Sequence, residues 1–145
     1  MNDAEFMELQ SFIIELNDTV GLSRFADVMS TLQQIQATVS ASTVDAEKRC
    51  WLLFLLSSTM NNLAAAAESI EGLELGVAWA RSLIDDEETP EHVAAEAMYN
   101  VGTGQASIYH IRELADIGED TAELNPSFRL KNIDDLRTVR RILRG

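Results

Sequence analysis

The sequence predicts an all-α protein, either a helical bundle or a short solenoid of about five to seven helices. Apolar residues recur at three- and four-residue steps instead of alternating, which is typical of helices with one buried face. Only two prolines interrupt the 145 residues, and 46% of the chain is hydrophobic. A chain of this length and composition can bury one core. We therefore expect a single domain over residues 1–145.

The N-terminal part of the chain predicts a helical hairpin over residues 1–41. Its first helix is expected over about residues 3–16 and its second over about residues 22–40, because each carries an apolar stripe at helical spacing. The polar segment at residues 17–21 contains Asn, Asp and Gly and predicts the turn between them. The stripe of the first helix consists of Phe6, Leu9, Ile13 and Leu16.

The third predicted helix, over about residues 44–69, is apolar on all sides in its middle. Residues 50–56 read Cys-Trp-Leu-Leu-Phe-Leu-Leu. A helix without a polar face is either central to a bundle or covered in part by a partner, and the sequence leaves both readings open. The uninterrupted apolar run has seven residues, which is short of the roughly 20 needed to span a bilayer, so we expect no membrane helix.

Two further helices are expected over about residues 71–84 and 90–117. Thr89-Pro90-Glu91 predicts the start of the second of these, because proline is favoured at the first helical position and acidic residues are favoured in the first turn. Gly118 is a candidate C-terminal stop, and Asn125-Pro126 is a clear break.

Charge is distributed unevenly along the chain, whose net charge is −13. Residues 1–126 carry 22 acidic and 5 basic residues (net −17), whereas residues 127–145 carry 2 acidic and 6 basic ones (net +4). The acidic part repels phosphates and anionic lipids, which argues against direct nucleic-acid or membrane-surface binding. The basic segment predicts a C-terminal helix over about residues 133–143.

Four arginines share one face of this C-terminal helix. Two readings remain open for them: they pair with the acidic body of the same chain, or they dock on an acidic partner. No aromatic residue follows Phe128, so stacking on nucleic-acid bases is disfavoured. A protein is therefore the better partner for this face, which consists of Arg137, Arg140, Arg141 and Arg144.

Residues 95–102, Ala-Glu-Ala-Met-Tyr-Asn-Val-Gly, resemble the first helix of a tetratricopeptide (TPR) repeat. Residues 122–126 resemble the end of a TPR second helix, and residues 79–90 resemble the end of a preceding repeat. The resemblance covers about residues 72–126, and it implies TPR-like helices within residues 44–126 and a groove that binds a peptide or a helix. It also places Asn100 where some members contact a ligand, although the basic residues of a carboxylate clamp are missing around it.

The residue types needed for catalysis or metal binding do not occur at useful spacings. His92 and His110 have no other histidine or cysteine at metal-ligand spacing, and Cys50 lies in an apolar segment, where an inert buried thiol is expected. No Glu-x-x-His motif, EF-hand loop or glycine-rich phosphate loop is present. We expect no catalytic residue, no cofactor and no metal. The single cysteine and the acidic N-terminus favour a cytoplasmic protein.

These observations favour a protein-interaction module that binds a partner peptide or helix in a groove between helices. Large aromatic side chains dominate interface energetics, so the expected anchors, in addition to Asn100 and the four arginines, are Trp51, Phe54, Trp79 and Tyr99. An acidic inhibitor that mimics nucleic acid is the first alternative, and a small helical enzyme is the second. We also expect homo-oligomerisation, because a second copy of the chain would cover the apolar third helix.

Overall fold

The computed structural model of the chain describes residues 2–18 and 25–124, and these residues form five α-helices and no strand. The predicted all-α class is therefore confirmed. The predicted helix over residues 133–143 and its arginines lie outside the described residues. The helices are α1 (Asp3–Asp18), α2 (Phe25–Ser40), α3 (Ala46–Ala67), α4 (Ile70–Asp85) and α5 (Glu91–Leu124).

The apolar helix α3 is the centre of the fold and packs against each of the other four helices. Asp45 caps its first turn, because the side chain accepts a hydrogen bond from the backbone N–H of Glu47. Glu68 ends it in a left-handed conformation with a φ of 57°, which directs the chain into α4. Ser69 then caps α4 by accepting from the N–H of Gly72.

Two apolar clusters flank α3. On one side, α1 and α2 pack against α3 far more than against each other, and they contribute Phe6, Ile13, Leu32 and Val39 to the first cluster. On the other side, α4 and α5 close a second cluster around Cys50, Ala80 and Ala97. These clusters account for the lack of a polar face on α3, since its neighbours cover most of its circumference.

Among the described helices, α3 alone is long and apolar enough to cross a membrane by length and composition. The sequence prediction considered only its uninterrupted apolar run and missed this property. Half of the apolar stretch is buried within the protein. A helix at the centre of a bundle has the same composition, because it too is surrounded by apolar groups.

Helix α5 is one continuous helix of 34 residues. It continues through Gly102, Gly104 and Gly118, so the predicted stop at residue 117 is wrong. Gly118 is followed by residues that tolerate helical angles, and Pro126 is the first residue that forbids their continuation. Of the segments that carry the TPR resemblance, residues 95–102 and the first part of residues 122–126 therefore lie on one helix without a turn between them.

A layer of buried polar side chains joins α3, α4 and α5. Asn61 Nδ2 donates to the backbone oxygen of Asn100 at 2.9 Å, and Ser57 Oγ donates to the backbone oxygen of Gly76 at 2.8 Å. Asn100 Nδ2 lies 3.5 Å from Ser57 Oγ. Ser57, Asn61 and Asn100 are all at most 6% exposed. Because hydrogen bonds are directional, they fix the position of each helix along its axis relative to the other two, more strictly than apolar contacts would.

Two glycines let the backbones of α4 and α5 approach Asn61. A Cβ atom added at Gly76 would lie 2.1 Å from Asn61 Oδ1, and one added at Gly104 would lie 2.5 Å from Val77 Cγ2. Asn61 Oδ1 is buried and has no hydrogen-bond partner among the described residues. It occupies the space that a Cβ at residue 76 would need.

Exposed ion pairs link the ends of the helices. Lys48 pairs with Asp3, and Arg49 pairs with Glu88. The hydrogen bond from Lys48 lowers the pKa of Asp3, and the same bond raises the pKa of Lys48. The hydrogen bond with Glu88 raises the pKa of Arg49. Because the carboxylates of Asp3 and Glu88 are 86% and 63% exposed, solvent screens both pairs and they contribute little to stability. The apolar clusters and the polar layer hold the fold together.

Replacement of the glycines of α4 and α5 by alanine should change the free energy of unfolding in opposite directions, depending on the position. Gly76→Ala and Gly104→Ala should each lower the free energy of unfolding by about 1–3 kcal/mol, because the added methyl group overpacks the region around Asn61. Gly102→Ala should raise it by about 0.5–1 kcal/mol, because a Cβ there meets nothing within 4 Å. Urea unfolding followed by circular dichroism measures all three. A common sign for the three variants would contradict the packing around Asn61.

The burial of Asn100 predicts a structural role for its amide. Asn100→Ala should lower the free energy of unfolding by about 1–3 kcal/mol, because it removes the amide that bonds to the hydroxyl groups of Ser57 and Ser58 and leaves a cavity in its place. Gln105→Ala, which removes an exposed amide from the same helix, should change it by less than about 0.5 kcal/mol. Urea unfolding of both variants tests the difference. Equal and small effects would show that the Asn100 amide does not hold the helices together.

Candidate partner-binding surface

Helix α5 exposes a row of side chains that no other described helix covers. Met98, Gly102, Gln105 and Tyr109 are spaced by four, three and four residues, so they lie along one side of the helix. All four are exposed, and Met98 and Tyr109 are exposed by 62% and 63%. We call this row the α5 stripe. It extends over about 16 Å at the helical rise.

The α5 stripe lies in a segment without charged side chains. Residues 97–111 contain no Asp, Glu, Lys or Arg, although α5 is charged before and after them. Helix α2 is similarly uncharged over residues 28–40, but there the exposed side chains are mainly small or polar, such as Gln33 and Gln34. Large apolar groups on an exposed, uncharged helix face are typical of a surface that meets another protein.

A groove between α4 and α5 adjoins the α5 stripe and shares Gln105 and Tyr109 with it. Its volume is about 400 Å³. The two helices are antiparallel, since Glu74 on α4 meets Arg112 on α5 and Val77 meets Gly104. We call it the α4–α5 groove, and its lining residues are Glu74, Val77, Ala78, Arg81, Gln105, Ile108, Tyr109 and Arg112.

Two arginines give the α4–α5 groove a positive character. Arg112 Nη2 lies 3.3 Å from Glu74 Oε1, and both side chains are 59% exposed. Arg81 is exposed, and no carboxylate of the described residues lies within 4 Å of its guanidinium. Apolar and aromatic walls with a few charged groups are the usual composition of a recognition site.

The predicted aromatic anchors fall into two groups. Trp51, Phe54 and Trp79 are half-buried and pack against the two clusters around α3. The rings of Trp51 and Phe54 are 5.3 Å apart. Tyr99 is instead 70% exposed and lies beside the α5 stripe. Of the four predicted anchors, Tyr99 therefore offers the most surface to a partner, while the other three contribute mainly to the packing of the fold.

Sequence reasoning missed most of the exposed surface. Met98, Gly102 and Tyr109 were not among the predicted site residues. The sequence does contain a signal for this surface, since residues 98, 102, 105 and 109 fall on one face of a helix. Asn100 was predicted to contact a ligand, but its amide is buried and bonded to α3. The predicted residues Arg137, Arg140, Arg141 and Arg144 lie outside the described residues.

A second groove lies between α1 and α2. Its volume is about 530 Å³, and its lining combines two carboxylates with Leu9 and Phe12. Phe12 is 42% exposed. The lining residues are Glu5, Glu8, Leu9, Phe12, Thr38 and Ser42. Within residues 2–18 and 25–124, no group of three or more His, Cys, Asp or Glu side chains is placed to hold a metal ion.

Cys50 and the two histidines do not form a catalytic arrangement in the described part of the chain. The Cys50 thiol is buried, and its sulfur lies 3.6 Å from the hydroxyl oxygen of Thr89. His110 is exposed on α5, and its ring lies edge-on to that of Tyr109 at 5.9 Å. Reactive cysteines are partly exposed and lie beside a base or a cation, whereas the Cys50 thiol is buried.

Comparison with known proteins gives no family for this chain. No protein-family model matches it, and no curated protein or solved structure is significantly similar to it.

Proposed function

We propose that this protein is an interaction module of the cytoplasm that binds a helix of a partner protein along the α5 stripe and in the α4–α5 groove. The observation that carries the proposal is the exposure of Met98, Tyr99 and Tyr109 on an uncharged face beside a groove. Burying these side chains would remove a large apolar area from water, and apolar burial is the main favourable term in association.

We further propose that the architecture is a helical bundle and not a TPR-like solenoid. A TPR-like unit needs a turn between its two helices, whereas α5 is continuous from Glu91 to Leu124. The central position of α3, which packs against four helices, also supports a bundle. In a solenoid each helical pair contacts only its neighbours in sequence. Partner binding by this protein then uses one exposed face of a bundle.

A second candidate function, an acidic inhibitor that mimics nucleic acid, is favoured by the turn between α4 and α5. Asp85, Asp86, Glu87, Glu88 and Glu91 are all exposed there. Such a surface could cover a basic site on a partner. This candidate function is an alternative to binding at the α5 stripe, because the two surfaces would bind different partners. The first depends on apolar contact and the second on net charge.

Substitution of Gly102 predicts a loss of partner binding without a loss of stability. Gly102→Arg places a long charged side chain in the middle of the α5 stripe, where a Cβ has open space, and arginine is a better helix former than glycine. The variant should fold at least as well as the wild type but lose the partner in quantitative affinity capture from the source cell. Ala66→Arg, an equal change at an exposed position of α3, should retain it.

The outcome that would contradict the proposal is a partner retained equally by Gly102→Arg and by Ala66→Arg. Self-association is measured in the same preparation by analytical ultracentrifugation. If wild type forms a dimer that Gly102→Arg dissociates, a second copy of the chain, and not a different protein, covers the stripe.

Salt distinguishes the two candidate functions. Raising the ionic strength from about 0.05 to 0.5 M should weaken binding at the α5 stripe by no more than about tenfold, because the contact is mainly apolar and salt screens only its few charged groups. A partner of the acidic turn should instead be lost over this range, since exposed charges farther apart than the Debye length no longer interact. Surface plasmon resonance with the captured partner gives both affinities. A steep loss would favour the acidic inhibitor.

A further inference from the structure

We infer that the partner segment in the α4–α5 groove is an amphipathic helix with two carboxylates about seven residues apart, which pair with Arg81 and Arg112. The inference rests on the proposed function and specifies the chemistry of its partner. It is argued from the charges of the groove, from the distance between its two arginines and from the acidity of the rest of the chain.

The charge argument begins with the basic residues whose side chains the structure describes. There are four, and three of them are paired: Lys48 with Asp3, Arg49 with Glu88, and Arg112 with Glu74 at 3.3 Å. Arg81, the fourth, has no described carboxylate within 4 Å. Within the described part of a chain of net charge −13, this unpaired arginine and the exposed Arg112 both line the α4–α5 groove.

Neither arginine is fully used within the protein. No described carboxylate lies within 4 Å of Arg81. Arg112 has one contact, to Glu74 at 3.3 Å, between side chains that are more than half exposed. An arginine has five N–H donors and binds a carboxylate through two parallel hydrogen bonds. Arg81 can accept a carboxylate directly, and Arg112 can accept one beside Glu74.

The spacing of the two arginines matches two turns of a helix. Arg112 contacts Glu74, and Glu74 precedes Arg81 by seven residues on α4. Seven residues correspond to about 10.5 Å along a helix. A partner helix that lies along α4 presents side chains i and i+7 on one face at the same separation. Its carboxylates at these positions would reach the two ends of the groove.

The residues between the arginines fit the apolar side of such a helix. Val77, Ala78, Ile108 and Tyr109 line the groove between its charged ends, so the partner's positions i+3 and i+4 should be apolar. The adjoining α5 stripe has helical spacing itself and offers Met98 and Gly102 to a continuation of the same helix. A helix lying on two antiparallel helices repeats the packing already present within the bundle.

The acidic body makes the carboxylate positions selective. Glu74 lies in the groove, and Glu71, Glu91 and Glu113 are exposed on α4 and α5. A carboxylate of the partner that lies away from both arginines would have no cation beside it and would be repelled by this acidic surface. The arginines are therefore the places where an acidic group is favoured, and the repulsion elsewhere fixes the register of the helix.

The inference is tested by selecting helical peptides of about 16 residues from a display library with the full-length protein. Peptides enriched by the wild type should carry Asp or Glu seven residues apart with apolar residues between them. The affinity of an enriched peptide should fall about fivefold for Arg81→Gln and about fivefold for Arg112→Gln. Lys48→Gln, with the same change in net charge far from the groove, should leave the affinity unchanged.

The outcomes separate the inference from the proposed function. If the enriched peptides lack paired acids but lose their affinity for the Gly102→Arg variant, the inference is overturned and binding at the α5 stripe still holds. Peptides with paired acids whose affinity falls equally for Lys48→Gln would also overturn it, because the effect would then be one of net charge. A selection that yields no binding peptide contradicts both. Paired acids together with losses confined to Arg81 and Arg112 support it.

Discussion

The close approach of α3, α4 and α5 around the side chain of Asn61 is the constraint on which the rest of the structure depends. Gly76 and Gly104 remove the side chains that would otherwise hold the helices apart. Asn61 and Ser57 then bond to backbone oxygens on α5 and α4. Because these bonds are directional and buried, they permit one lengthwise register of the three helices. That register places Arg112 opposite Glu74, and it brings Tyr109 to the edge of α4.

The function proposed for this protein follows from the face of α5 that this packing leaves uncovered. One side of α5 supplies Val93, Ala97, Asn100 and Gly104 to the interior, and the opposite side carries the α5 stripe. Over residues 97–111 the outer face of α5 is therefore uncharged, as its inner face is. The two arginines of the α4–α5 groove add a recognisable charge pattern beside an apolar surface, which is what specificity for a partner helix requires.

Helical periodicity and the residues at helix starts were sufficient to predict the all-α class and the positions of the described helices. Asp45, Ser69 and Pro90 mark starts that the structure places within about two residues of the predicted ones. The end of α5 could not be predicted, because glycine is common just after the last residue of a helix but Gly118 lies within a continuous helix. The roles of the glycines were also beyond the sequence. Gly102 is open and Gly104 is packed, and that difference arises from helices distant in the chain.

The candidate site was less predictable than the fold. Aromatic residues in an apolar helix can serve either the core or an interface, and the sequence alone did not separate Trp51 from Tyr99. Burial decides the matter, and it depends on which helices pack against each residue. Asn100 illustrates the same limit, since an amide in a helix can contact a ligand or bond to a neighbouring helix. The identity of its neighbours, Ser57, Ser58 and Asn61, assigns it to the interior.

The most direct test of the central claim is photo-crosslinking inside the source cell. A photoreactive amino acid replaces Tyr109 in one protein and Ala66 in another, and covalent adducts are separated by mass after irradiation. The account predicts a discrete adduct with a partner protein from position 109 and none from position 66. Adducts from position 66 but not from position 109 would contradict the assignment of the binding surface to α4 and α5.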